Sequence, residues 1–532
     1  MKLSRAILFG RTRIVMVVAL GLAACSSVSA PAASPATPAA STSTSVPTTA
    51  STSATPTSAT PTPGFDVAAE NAKPGSPAWQ MRAQAPKGHV LEGYADRTSV
   101  LPGEPFGVYV SATAASVSIT AVRIGWYGGA QGRIVWRSKQ FPTRVQSAPV
   151  ADPVTRAYSA RWPRSTSVNT TGWPEGDYLL RLAGSDTALS YVPITIRSAS
   201  VVGRVVLMNE DLTWQAYNTW GGRSLYQGDG GGFGSRSYAV SFDRPYQAGG
   251  RGLFTSFEYP VVVAAEKLGI RLAYETDIDV ATRPGLLAGA IGLISPGHDE
   301  YWTVAERLAV EHARDAGTNL AFLGANISYW RVRLAVSRLG ANRTEVGYKG
   351  SSRDPITGAT TTARFRDSPN PHPEQLMTGQ RYECFPVKAA FVVRDPKFFL
   401  FAGSGAAKGQ AFPGLIGVEI DRPYPIASTP RPLQVPALSP VKCNGVSTYS
   451  GFTYYTARSG AGVIAVGTMN WVRALGGATT AYGMTSAVDR FVVAVSANIF
   501  RAISTPHLGT AHPAVDELMK LHLSATNTTG VG

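Results

Sequence analysis

The sequence predicts a multidomain protein: an immunoglobulin-like β-sandwich followed by an α/β domain. Three observations carry this reading. The 532 residues, 44% hydrophobic and 16% charged, supply apolar material for two or more globular domains. Between about Gly88 and Ser198, short alternating stretches are separated by turn residues, with no helical period. After Val201, apolar strands alternate with helical segments. The boundaries drawn are 1–24 for a signal segment, 25–75 for a tether, 76–198 for the sandwich, 199–525 for the α/β domain and 526–532 for a disordered tail.

The amino terminus sets the compartment. Lys2, Arg5, Arg11 and Arg13 precede any acidic residue, and an apolar run from Ile14 to Cys25 ends in small residues. That is the form of a secretory signal, too short for a dependable membrane span. Leu22-Ala23-Ala24-Cys25 resembles the bacterial lipobox, whose cysteine becomes the lipidated first residue. The expectation is a lipoprotein of the bacterial cell envelope, tied to membrane lipid through acylated Cys25 on the outer face of the cytoplasmic membrane; an ordinary signal with a chance cysteine is the alternative. From Ser26 to about Pro63 the chain is nearly all Ser, Thr, Ala and Pro, without charge or aromatic rings, so it cannot offset its ordering entropy and reads as an extended tether.

The formal net charge is +15, and removing the four leading basic residues leaves +11. No run of five Lys or Arg exists, so no nucleic-acid partner is expected. Three cysteines build neither a disulfide scaffold nor a four-cysteine zinc site. Cys384 and Cys443 are free to pair if their separation allows.

In the sandwich region, Phe106–Ser111 and Tyr178–Leu182 are strands, Pro102-Gly103, Gly128-Gly129 and Trp173–Gly176 are turns, and Tyr191–Arg197 is the last strand. In the second region the alternation runs through Val202–Met208, Tyr259–Gly269, Ile291–Ile294, Val304–Ala316 and Asn319–Leu323, and it predicts a parallel sheet covered by helices on both faces. Ligands in such sheets bind beyond the carboxyl ends of the strands. Three loops there are rich in reactive side chains: Asn209–Gly222, Ser295–Trp302 and Gly324–Arg331. Trp214, Tyr217 and Trp220 recur every third residue, either as core packing or as an aromatic platform for a sugar.

Gly93–Arg97 with Pro102–Glu104, Tyr217–Gly222, Phe257–Pro260, Gly297–Trp302, Phe322–Asn326, Gly417–Arg422 and Gly467–Trp471 together resemble the N,N-dimethylformamidase large (beta) subunit family, over about Gly93 to Arg501. That resemblance implies an α/β domain related to class I glutamine amidotransferases. It also implies hydrolysis of a small formamide at a ferric ion, Fe(3+), held by two tyrosinates and a glutamate. Tyr301 is the first ligand candidate, with Tyr259 and Glu383 for the other two and Tyr217 and Glu419 as rivals. The family enzyme works with a small partner subunit, for which this chain offers no counterpart.

Phenolate and carboxylate are hard oxygen donors suited to a hard cation. In this reading His298 or Glu300 accepts a proton from water and Asn326 positions the oxyanion. Each has a structural alternative: Tyr301 as a packed anchor, His298 as a helix cap, Glu383 as a charged neighbour of a disulfide. Gly324-Ala325-Asn326 lacks the nucleophilic cysteine of the amidotransferases. No Gly-x-Ser-x-Gly elbow, His-Glu-x-x-His helix or Gly-Lys-Ser/Thr loop occurs, and Gly403–Gly409 reads as a loop because it misses the dinucleotide pattern. Two classes remain: a metal-dependent hydrolase of an amide or related C–N bond, and a non-catalytic envelope protein that binds a glycan through its aromatic rim.

Overall fold

The computed structural model describes residues 65–80, 88–247, 249–477, 482–527 and 529. Phe65–Gly532 forms one compact unit. The expected signal segment and the lipidation residue Cys25 lie outside the described residues, as does the tether before residue 65. Structure begins earlier than the boundary drawn at 75. Asp66 caps a short helix, Val67–Asn71, whose Glu70 is buried and bonded to Tyr127, Arg133 and Lys73. The tail is also partly anchored, since Thr529 donates to the backbone oxygen of Glu383.

The chain is rich in β-structure, with six sheets among the described residues. In the first region, β1 (Leu91–Ala95) and β2 (Phe106–Ala112) pair antiparallel, with Thr166–Val168 on the far edge of β2. A larger sheet holds β3 (Ser116–Ile124), β4 (Gly176–Gly184) and β5 (Leu189–Ile196) at its centre. The two sheets share one core, in which Val108 and Val110 of β2 meet Ile119 of β3 and Leu180 and Leu182 of β4. Side chains alternate along a strand, so Leu179 faces the other way, into the core of the second region with Val122 and Ile124. Burial on both faces explains why β4 is apolar at consecutive positions.

The second region is built on a seven-stranded sheet. Its elements are β6 (Val205–Asn209), β7 (Leu272–Thr276), β8 (Gly292–Ser295) and β10 (Asn319–Phe322), with β9 (Tyr301–Thr303) in a side sheet. Strands β15 (Leu433–Cys443), β16 (Val446–Thr456) and β17 (Gly462–Ala465) complete it, after β11 (Trp330–Ser337), β12 (Gly340–Val346) and the long ribbon β13 (Arg381–Val392) and β14 (Ala411–Arg422). The order is β7-β6-β8-β10-β17-β16-β15. The first five strands run parallel; β16 and β15 are antiparallel additions at one edge that the parallel-sheet reading does not contain.

Helix α1 (Asp211–Tyr217) follows β6, α2 (Phe254–Lys267) precedes β7, and α3 (Val304–Asp315) precedes β10. Thr303, directly after Trp302, caps α3 and forms a capping box with Glu306. Phe257 and Val261 of α2 pack on one face of the sheet, and Val310 of α3 packs on the other. The stretch Tyr259–Gly269 thus lies mostly in α2, and β7, which follows it, is an element the sequence reading lacked. Cys384 and Cys443 are bonded, with Cα atoms 6.1 Å apart, and join β13 to β15. At the junction of the regions, Arg123 of β3 meets Glu266 of α2 at 2.6 Å, both side chains fully buried.

Candidate active site

Three strand ends build the site. After β6, Glu210 accepts the backbone N–H of His298 at 3.1 Å, and Thr213 of α1 accepts the N–H groups of Glu300 at 3.0 Å and Tyr301 at 3.2 Å. After β8, Ser295 donates to Asp299 at 2.9 Å, and the Trp302 indole donates to the Asp299 backbone oxygen at 3.0 Å. The segment His298–Trp302 is thereby held at both of its sides. After β10, the turn carries Asn326 at φ 63°, with its N–H on Asp421 of β14 at 2.7 Å. The β8 and β10 loops touch. A Cβ at Gly324 would lie 2.0 Å from the backbone oxygen of Gly297, and one at Gly297 would lie 2.0 Å from the Phe257 ring, so both positions need glycine.

Glu300 is the hub. Its carboxylate accepts the Tyr217 hydroxyl at 2.7 Å on one oxygen and the Tyr226 hydroxyl on the other. His298 Nε2 lies 3.1 Å from the Tyr217 oxygen, 3.5 Å from Glu300 and 3.8 Å from Glu419, while Nδ1 faces the Ala325 backbone oxygen at 3.4 Å. Tyr217 spends its one proton on Glu300, so both imidazole nitrogens face acceptors, which suits the protonated ring. Burial pulls the His298 pKa down, but Glu419 and Glu300 outweigh it and the result is raised. Burial opposes the Glu300 charge, and donation from His298 with the field of Lys349 overcomes it to hold that carboxylate low. Glu419 is pushed up to about 7, chiefly by burial, with His298 opposing and Glu300 adding to the rise.

Lys349 closes one wall. Its Nζ stands 3.1 Å from the Tyr226 ring centroid, 4.8 Å from Trp330 and 4.9 Å from Tyr301, and it has no hydrogen-bond partner among the described residues. Burial holds its pKa well below the usual ammonium value. The cation–π contacts are its compensation. Burial, with Glu300 beside them, raises the Tyr217 and Tyr226 hydroxyls.

Of the residues singled out from sequence, His298, Glu300, Asn326 and Tyr301 come together with Tyr217 and Glu419. The Tyr301 ring stands edge-on to Tyr217 and Tyr226, and its buried hydroxyl lies beside Tyr226 and Glu300, with no partner in strict hydrogen-bonding geometry among the described residues. Tyr259 does not join them. It bonds Gln131 and packs on Trp79 against the sandwich, because successive residues of α2 face different ways while Phe257 faces His298. Glu383 is separate too, bonded to Thr448 at 2.6 Å and to Tyr424, with Arg422 at 3.6 Å. Tyr301, Tyr259 and Glu383 therefore share no common point. Trp214 bonds Glu258 and Trp220 bonds Glu92; both are only 4% exposed, so the three-residue repeat is mainly core packing. Tyr226, Lys349 and Asp421 escaped sequence reasoning. Tyr226 had one available cue, its place in the polar loop after β6, nine residues beyond Tyr217.

No curated protein matches the chain. Among solved structures, a Paenibacillus sp. cycloisomaltooligosaccharide glucanotransferase crystallised with cycloisomaltoheptaose aligns at 12% identity and a TM-score of 0.15, over 24% of this chain and 16% of that one. The chain spans less than a fifth of that protein's length. A family profile described as N,N-dimethylformamidase beta subunit-like, C-terminal, matches residues 118–484, and with more than half of its length covered, the chain belongs to that family.

Proposed function

We propose that this protein is a ferric-iron-dependent hydrolase of a small amide or related C–N bond, and that it is a cell-envelope lipoprotein anchored through Cys25. The finer fold reading belongs to the same proposal: an immunoglobulin-like sandwich, supported by two sheets around one core, and an amidotransferase-like domain, supported by five parallel strands between helices.

The observation that carries the function is the meeting of the Tyr217 and Tyr226 hydroxyls on the Glu300 carboxylate. Three hard oxygen donors occupy one place, joined by the protons that a cation would replace, and two phenolates with one carboxylate balance a trivalent ion. The donor set fits the iron of the family, with Tyr217, Tyr226 and Glu300 as holders in place of Tyr301, Tyr259 and Glu383. A ferric ion bound there supplies Lewis acidity toward an amide oxygen and acidifies water.

The chain's own residues supply the rest. Glu419, with its pKa near neutrality, accepts a proton from water at a carboxylate oxygen and passes it to the departing nitrogen. His298 holds its proton between Tyr217 and Glu419 and orients both. Asn326, fixed through Asp421, turns its side-chain amide toward developing negative charge. Burial of His298, Glu300 and Asn326 excludes water and favours a small substrate. The glycan-binding alternative has less support, since Trp214 and Trp220 are core residues.

Purified protein should be coloured, contain about one iron per chain and release amine from a small formamide or amide. Tyr226→Phe should shift or bleach the visible band, and Glu300→Gln should lower iron content with activity. A colourless, iron-free protein that stays inert after iron loading defeats the reading. For the anchor, Cys25→Ala should move the chain from the membrane fraction to the soluble fraction.

A further inference from the structure

A second polar site lies at the junction of the two regions, away from Glu300. Here β4 and β5 of the sandwich meet β6 and α1 around a cavity of about 30 Å³, lined by Tyr94, Asp177, Asn209, Asp211, Trp214 and Gln215. That volume is about the share of one water molecule. Asp177 is 1% exposed. Its Oδ1 accepts from Asn209 Nδ2 at 2.6 Å and from Thr195 at 2.9 Å, while Oδ2 has no partner among the described residues. Asn209, equally buried, donates through Nδ2 to Asp177 and Thr195, and its Oδ1 has no donor among the described residues. Asp211 brings a second carboxylate to the same space.

Asp177 feels the field of Arg123, but that guanidinium is paired with Glu266, Arg97 on the wall donates to the backbone oxygen of Asp96, and no cation is paired with Asp177 or Asp211 among the described residues. Arg343, on the wall, is engaged with Asp243 and with the backbone oxygens of Ala95 and Phe242. Arg244 is engaged with Gln215 and with backbone oxygens of Asn218, Trp220 and Arg223. A buried carboxylate oxygen left without a donor is costly. Free carboxylate and amide oxygens with no nitrogen or sulfur ligand are the donor chemistry of calcium, which tolerates irregular geometry and completes its shell with water.

We propose that this cavity binds one divalent cation of the calcium class, held by Asp177 Oδ2, Asn209 Oδ1 and the Asp211 carboxylate. The ion joins β4 of the sandwich to β6 and α1. Because α1 carries Thr213 and Tyr217, it also steadies one side of the active site from outside it. The proposal stands on this cavity alone and does not depend on the iron reading.

The test uses the full chain stripped by a chelator and titrated with calcium chloride at constant ionic strength by calorimetry. A parallel titration with terbium chloride reads emission sensitised by the Trp214 indole on the cavity wall. One calcium per chain is expected, with calcium displacing terbium. Asp177→Asn and Asp211→Asn should each weaken binding at least tenfold, and Glu300→Gln should leave it unchanged. Absence of saturable calcium binding to wild type at millimolar concentration overturns the proposal. So does wild-type affinity in both aspartate variants, or loss of calcium binding in Glu300→Gln. If Asp177→Asn does not fold, the wild-type titration and Asp211→Asn decide.

Discussion

Glu300, Tyr217, Tyr226, His298 and Glu419 form one proton-sharing set in which each group's charge is fixed by its neighbours. Glu300 stays ionised because His298, Lys349 and Tyr226 outweigh burial. Glu419, with less donation, is raised to about 7. As a base it works deprotonated, so turnover should rise with pH through about 7 and level off above it. Glu419→Gln should remove that rise and lower kcat by about 10²–10⁴-fold, measured by amine release across pH 5–9. An unchanged pH profile would take the proton-transfer role away from Glu419. At this scale the sequence was only partly legible. His298, Glu300 and Asn326 stand directly after apolar strands, where ligand-facing residues belong. Tyr226 and Lys349 stand in loops with no period, and their part comes from where those loops close.

Among elements, the β8 and β10 ends and helix α3 were readable from short apolar runs and their alternation. Strand β7 was not, since Leu272–Thr276 mixes apolar and polar residues and its burial is decided by its neighbours in the sheet. The packing of β3 on α2 turns on the buried pair Arg123 and Glu266. Removing one partner strands a charge, so Arg123→Met should cost about 3–5 kcal/mol. The double variant Arg123→Met with Glu266→Leu should recover much of that loss in urea unfolding. Equal destabilisation in both variants would mean that the pair matters through packing and not through charge.

For the whole molecule, the disulfide between Cys384 and Cys443 spans 59 residues and ties the β13 ribbon to the edge of the large sheet. Closing a loop of that length restricts the unfolded chain, so replacing both cysteines with alanine should cost about 4 kcal/mol, read as a lower denaturant midpoint. A midpoint equal to wild type would show that the ribbon is held by its burial alone. The regions themselves are fused: Val122, Ile124 and Leu179 of the sandwich share a core with Phe257 and Val261 of α2. The separate periods of the two regions were visible, but their common core was not, because it is made by the outward faces of strands whose inward faces explain the pattern.

By itself the sequence determined the order of the two regions, the alternation of strand and helix, and the loops in which reactive groups collect, since these follow from local periodicity. The tertiary structure alone decided which tyrosines and which acid meet. Tyr217 at the end of α1 and Tyr226 and Glu300 in loops are brought together by sheet closure, while Tyr259 and Glu383 are turned away by the faces of α2 and β13 on which they lie. A contact between residues far apart in the chain is set by packing, and packing leaves no periodic trace in any one segment.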